Sequence, residues 1–370
     1  MKYLSIVIPA IMLLVVVGGT YYLSKRFSLF FPSISFKNWL LFFGSTIVLL
    51  LFGIQFFAVS PNPIGKMIFI LGAVLAAMIL YLLVSMAIID LVNLFIETPP
   101  IIRGISSLLL AAIFVIYGII NASTIKVKEI SVPITGLTKE VRAIHITDIH
   151  LGNFWGKAHL EEIVDKANYL NPDVIFNTGD MFDSQAHFNE NSDILKPLDK
   201  FKVPHYFVYG NHDQHVGVEE VIERMKKAGA IVLRNEIVWF EELQIIGLDN
   251  MLEDENEFDP HTKPGAETIK SVMSKLSIEE NKPAIVLQHR PSGIKYIEAK
   301  KINLLLVGHT HGGQLFPITL IAKLVYGKYN KGLHKYKDMN IYISQGAGTI
   351  LPVRVGTDSE ITLIRLLPEM

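Results

Sequence analysis

Residues 302–314 read INLLLVGHTHGGQ, an aliphatic run that stops at a glycine and then presents two histidines one residue apart. A short apolar run bounded by turn residues is the pattern of a strand buried on both faces, as in a parallel sheet flanked by helices. His309 and His311 stand where that strand runs out. Gly308, Gly312 and Gly313 remove the side chains that would crowd them.

Upstream segments repeat the design. VRAIHIT leads into Asp148 and His150, DVIFNTG into Asp180, and HYFVYG into Asn211, His212 and Asp213, while AIVLQH ends on His289. LQIIGLD and NIYISQG are two further strands, and helices are expected at His159–Leu170, Val218–Ala228 and Glu267–Leu276. Strands alternating with amphipathic helices predict an α/β domain. Ligands of such sheets bind beyond the carboxyl ends of the strands, which is where these polar residues lie.

Each group has a plain reading and a chemical one. Asp148 and His150 lie at i and i+2, so on extended chain both face one way and can grip one ion, although the tripeptide alone reads more simply as a turn. Asp180, freed by Gly179, has two oxygens with which to bridge two cations, or it marks an ordinary strand-to-loop turn. Asn211, His212 and Asp213 are neighbours and cannot all point at one atom. Their roles divide as Asn211 toward a metal, His212 toward substrate and Asp213 behind His212, with an Asn-initiated turn as the alternative. His289 alone would read as a packing residue. What decides is the joint pattern: five strand ends in order, each offering oxygen or imidazole, are improbable by chance. Oxygen and nitrogen donors without sulfur suit manganese, iron or zinc.

The series D-x-H, G-D, G-N-H-D, H, G-H-x-H resembles the calcineurin-like metallophosphoesterases. GHTHGGQ followed by Pro317 and ISQGAGT resembles the membrane-associated branch of that family, over about residues 124–370. The resemblance implies two divalent metal ions, one held by Asp148, His150, Asp180 and His311 and the other by Asp180, Asn211, His289 and His309. It implies that Asp180 bridges them, that His212 is the catalytic histidine and that Asp213 orients it. The implied fold is a four-layered α/β/β/α sandwich with the site at one edge. No ligand position is substituted, which speaks for an active enzyme. His145, His159, His187, His205, His215, His261 and His334 read as packing or surface residues, with His187 and His215 the ones that flank the site loops. VEEVIERMKKAG reads as a helix packed on the sheet, and EDENEFD as a solvated acidic loop.

Before residue 122 the composition changes. Half of all residues in the chain are hydrophobic and 19% charged, and most of the apolar excess lies in Leu4–Leu23, Trp39–Val59, Ile64–Ile89 and Ile101–Ile120, each of bilayer length. These predict a four-span α-helical membrane region over 1–122, ahead of a catalytic domain over 123–370, in a multi-pass integral membrane protein. Lys25, Arg26, Lys37 and Arg103 on one side balance Lys2, Lys66, Lys126 and Lys128 on the other, so basic residues set no orientation. An even number of spans puts the amino terminus and everything after Ile120 on the same side.

A formal net charge of −1 with no basic stripe excludes a nucleic-acid-binding surface, and the absence of cysteine excludes disulfides and thiolate metal sites. Spans nearly free of ionisable residues disfavour a transporter. The expectation is a membrane-anchored dinuclear phosphohydrolase that cleaves phosphodiester or pyrophosphate bonds. An anchor concentrates lipid-borne substrates, and the resemblance extends to enzymes acting on the lipid-linked nucleotide UDP-diacylglucosamine in lipid A synthesis. The alternatives are a general phosphatase for soluble esters and a membrane sensor or scaffold that binds a phosphorylated ligand without turnover.

Overall fold

The computed structural model describes residues 4–57, 63–183, 193–256 and 266–369. His187 and His261 lie outside them. The chain forms two compact units, residues 1–120 with 351–353, and residues 121–350 with 354–370.

The first unit is helical, and all four apolar stretches carry a helix: α1 (Leu4–Phe30), α2 (Phe36–Phe57), α3 (Pro63–Asn93) and α4 (Pro100–Ser123). Proline opens α3 and α4, where a missing N–H costs nothing. Aromatic packing joins α1 to α2, with Phe27 ring centroids 4.9 Å from Trp39 and 5.1 Å from Phe43. Gly104 of α4 admits Phe30 of α1 and Phe31 just beyond it, since a Cβ there would lie 2.8–2.9 Å from their atoms. Arg26 pairs with Asp90, tying α1 to α3. Among the described residues, α3 and α4 are long and apolar enough to cross a membrane, while α2 offers a shorter apolar stretch, Phe36–Leu50.

The second unit is an α/β domain with two mixed six-stranded sheets. Its strands are β1 (Ile125–Ile134), β2 (Val141–Ile146), β3 (Val174–Asn177), β4 (His205–Phe207), β5 (Ile231–Val232), β6 (Glu236–Phe240), β7 (Leu243–Gly247), β8 (Ala284–Leu287), β9 (Leu304–Val307), β10 (Gly332–Tyr336), β11 (Met339–Ile343) and β12 (Ser359–Pro368). Its helices are α5 (Lys157–Tyr169), α6 (Asn211–Lys227), α7 (Ile269–Lys275), α8 (Ile294–Glu298) and α9 (Ile318–Tyr326). The first sheet runs β1-β12-β2-β3-β4-β5, with β2 to β5 parallel. The second runs β10-β11-β9-β8-β7-β6, with β11, β9, β8 and β7 parallel.

The two-residue period of the strands sorts their side chains between cores. In β9, Leu304 and Leu306 join a cluster that draws on both sheets, whereas Leu305 and Val307 join a cluster with Ile269, Val272 and Met273 of α7 and Ile297 of α8. In β3, Val174 and Phe176 point to the shared cluster and Ile175 to one containing Leu160 and Ile163 of α5 and Val221, Ile222 and Met225 of α6. The cores therefore alternate helix, sheet, sheet, helix. The run Val218–Lys227 packs on the sheet as expected, but the helix starts earlier, at Asn211, and kinks at Gly217, whose φ of 131° only glycine adopts readily.

His145, His159 and His205 are buried as packing groups. Burial holds His145 at about 3 and His205 at about 4, so both fold as neutral rings. For His205 the unfolded chain takes up a proton as pH falls below the ordinary value of 6.5, while the folded chain does so only near 4. Stability present above 6.5 is thus lost as pH falls through that window, by roughly 3 kcal/mol in total for this group. Thermal unfolding followed by tryptophan fluorescence in detergent is expected to show a falling midpoint between pH 6.5 and 4, and a shallower fall in His205→Phe. Equal slopes would remove His205 as a source of acid lability.

Candidate metal centre

Strand ends from both sheets supply the donors. Asp148 and His150 follow β2, Asp180 follows β3, Asn211 and His212 open α6 after β4, His289 follows β8, and His309 and His311 follow β9. Asp148, His150 and His311 bring donor atoms within 4.8 Å of one another, as do His150, Asp180 and His212, and again Asp180, His289 and His309. Shared members link the three groups into one site with Asp180 in the middle. His309 and His311 fall into different groups.

The backbone aims these donors in a way the extended-chain argument did not foresee. Asp148, His150 and Asp180 have φ of 53°, His309 71° and His311 48°, all left-handed. Each such non-glycine residue costs about 1 kcal/mol or more, and their concentration here is strain placed where donors must be directed. The i, i+2 pairs therefore face the site from tight left-handed turns rather than from straight strands. The turns are pinned by hydrogen bonds from Asp148 N to Gly179 O (2.9 Å), His150 N to Asp180 O (3.0 Å) and Gly348 N to Asp148 O (2.8 Å). Any Cβ on Gly308 would overlap the Asp148 carboxylate, and one on Gly210 would overlap that of Asp180, so neither position has room for a side chain.

The donor set fits divalent cations. His289 Nδ1 donates to the carbonyl of Thr178 at 2.8 Å, which leaves Nε2 as a lone pair in the neutral ring. That nitrogen lies 3.1 Å from Asp180 Oδ2, 3.1 Å from Asn211 Oδ1 and 3.2 Å from His309 Nδ1. Acceptors converging in this way repel unless positive charge sits among them. Metal–nitrogen bonds of about 2.1 Å place neighbouring ligands roughly 3.0–3.4 Å apart, the spacing seen here. In the second group His311 Nε2 is 3.0 Å from His150 Nε2 and 3.4 Å from Asp148 Oδ1.

Electrostatics agree. Burial alone would raise Asp180, but His289, His150 and His212 around it hold it well below the usual carboxylate range. Burial opposes a charge on His289, yet Asp180 and Asp148 push it up to about 9, so positive charge is favoured at this point. Burial and positively charged neighbours hold His309 and His311 well below 6.5, in the neutral form that binds metal.

Two features correct the sequence reading. Asp213 does not stand behind His212: its carboxylate accepts from the backbone N–H groups of Met181 (2.9 Å), Phe182 (3.1 Å) and Gly210 (3.0 Å), clamping the loop after β3 to the start of α6. Burial, with Asp180 nearby, raises it to about 6. The group beside His212 is Asp183, whose Oδ1 lies 3.2 Å from His212 Nδ1. Burial works against both charges. Even so, the His150 and His212 rings beside it hold Asp183 down to about 2, and Asp183 with Asp180 raises His212. Arg354 is the other residue the sequence did not mark. Fully buried, it donates to the carbonyls of Gln345 (2.7 Å), Gly348 (2.7 Å) and Asp358 (2.8 Å), with Nη2 3.3 Å from His311 Nδ1. His215, expected to flank the site, has its ring centroid 6.5 Å from that of His212. In the described part of the acidic run, Glu255 and Asn256 are exposed as expected, with Glu253 paired to Lys295 and Glu255 to Lys270 at the surface.

Comparison with known proteins matches residues 141–313 to the family described as calcineurin-like phosphoesterase. An uncharacterized metallophosphoesterase of Helicobacter pylori is 32% identical over 250 residues, covering 66% of this chain and 64% of its own. The transmembrane protein with metallophosphoesterase domain of Danio rerio is 30% identical over 285 residues, 71% of this chain and 62% of its own. Phosphodiesterase YaeI of Escherichia coli is 26% identical over 239 residues, 61% of this chain and 82% of its own. The match thus spans less than two thirds of the Helicobacter and Danio relatives.

Proposed function

Because this chain belongs to the calcineurin-like phosphoesterase family, we propose that it is a membrane-anchored, dinuclear metal-dependent phosphoesterase acting on phosphodiester or pyrophosphate bonds. The observation that carries the reading is the lone-pair cage around Asp180, built from five strand ends. On this reading Asp148, His150, Asp180 and His311 hold one ion, and Asp180, Asn211, His289 and His309 the other. The ions are manganese, iron or zinc. When bound, two such ions would supply Lewis acidity for activating water and neutralising phosphoryl oxygens.

The remaining work falls to side chains. His212, whose protonated form Asp183 favours, gives its proton to the leaving oxygen, and Asp183 keeps the ring oriented. Asp213 acts as a positioning residue through the backbone it clamps. No covalent intermediate on the protein is needed.

Two helices, α3 and α4, meet the length and hydropathy of a crossing helix, and a four-span anchor built around them would favour a substrate that lives in the bilayer. A lipid-linked nucleotide such as UDP-diacylglucosamine is the first candidate, on the argument of local concentration. The test compares hydrolysis of that substrate in detergent micelles with hydrolysis of small soluble diesters, before and after chelation and with manganese, iron or zinc restored. Metal-dependent turnover favouring the lipid substrate by about tenfold or more is expected. Equal rates on both would leave a general phosphatase, and turnover undiminished by chelation would overturn the metal centre itself.

A further inference from the structure

The segment between the His309–His311 turn and β10 carries apolar surface for which phosphoester hydrolysis has no use. In α9, Ile318 is 41% exposed, Leu320 57%, Ile321 62%, Leu324 89% and Val325 69%, and Phe316, just ahead of the helix, is 41% exposed. Ala322 is its one buried residue. Single exposed apolar residues are ordinary, but a contiguous run of this size marks a surface that something covers.

The charges nearby say what covers it. Residues 311–337 contain Lys323, Lys328, Lys331, Lys335 and Lys337 and neither aspartate nor glutamate. Lys323 and Lys328 are exposed at the helix and just beyond it. An apolar helix face edged by lysine is complementary to a bilayer surface bearing anionic lipid. A bilayer is within reach along the chain: α4 ends at Ser123 and β1 starts at Ile125, a one-residue connection.

α9 is also fastened to the metal turn. A Cβ on Gly313 would come within 2.7 Å of Ala322 and Thr319, and Thr319 N donates to Leu315 O at 3.0 Å. Tyr326, the last residue of α9, sets its ring edge-on to His309, with centroids 6.2 Å apart.

We propose that α9 is an interfacial helix that lays Phe316, Leu320, Ile321, Leu324 and Val325 into the surface of an anionic bilayer and opens the metal centre at headgroup level. The inference rests on the membrane-anchored reading above. Docked in this way, the site meets a phosphoester borne by a lipid headgroup without the lipid leaving the membrane.

With no native cysteine, single nitroxide labels can be placed on the full-length chain without background. The variants are Leu324→Cys, Ile113→Cys on the exposed face of α4 and Lys227→Cys at the end of α6, in nanodiscs of phosphatidylcholine and phosphatidylglycerol at three to one. Retained hydrolysis of a soluble diester certifies each fold. Collision rates with oxygen and with a water-soluble nickel chelate are then compared. The expected result is a Leu324 label several-fold richer in oxygen than in nickel collisions, like Ile113 and unlike Lys227. A Leu324 label resembling Lys227, with Ile113 in lipid, overturns the helix proposal and leaves the anchor standing. Shielding from both relaxants with dipolar broadening means a second protein copy covers α9, which also overturns it. An Ile113 label in water overturns the anchor and the inference together.

Discussion

Asp180→Asn is expected to lower turnover at least about a thousandfold and to reduce bound metal from two ions per chain to one or none. Asp180 takes part in two of the three donor groups, and its Oδ2 faces His289 Nε2 at 3.1 Å. An amide in its place removes the negative charge and can turn an N–H toward that lone pair. Its Oδ1 accepts from His212 N at the first turn of α6, a contact the variant would also weaken. Several kcal/mol of cation stabilisation are at stake, and each 1.36 kcal/mol is tenfold in rate, which sets the expected size. Metal analysis beside steady-state hydrolysis checks it. Near-normal activity with two bound ions would show that the cage closes without this carboxylate.

His212→Ala is expected to behave differently: both ions retained, kcat lowered by about 10²–10⁴, and a deficit that grows as the leaving group becomes more basic. Substrates with 4-nitrophenolate leaving groups need little protonation and should suffer least, while alkyl esters should suffer most. Asp183→Asn should reproduce the same dependence at smaller size, since the ring remains but loses the carboxylate 3.2 Å from Nδ1. His212 also stands in one donor group with His150 and Asp180. Loss of an ion in His212→Ala would therefore make it a ligand rather than an acid.

The donor residues were legible because the chemistry restricts residue types and sheets fix where they occur. An aliphatic run ending in glycine and histidine has few other uses, and the period of two sorts Leu304 to Val307 between cores without any knowledge of the rest. What escaped was decided by local geometry. Asp213 follows His212 directly, which invited a partnership, yet at the third position of a helix a carboxylate folds back on the backbone N–H groups. Asp183 comes three residues after Asp180, a spacing that means nothing until the loop curls. β1 carries no strand signal in the sequence because its exposed and buried residues reflect an edge position rather than a buried run. α9 passed unremarked because nine residues are too few for its apolar face to stand out as a helical period.

The place of β12 has a consequence for biosynthesis. The first sheet begins β1-β12-β2, so the strand that leaves the last apolar helix has, among the described residues, only β12 as a sheet neighbour. During translation, β1 emerges long before Ser359–Pro368 exist, and it cannot pair with β12 until that strand has left the ribosome. A nascent chain can seat its helices early, but it must wait with an open sheet edge, and truncation before Ser359 leaves that edge open for good.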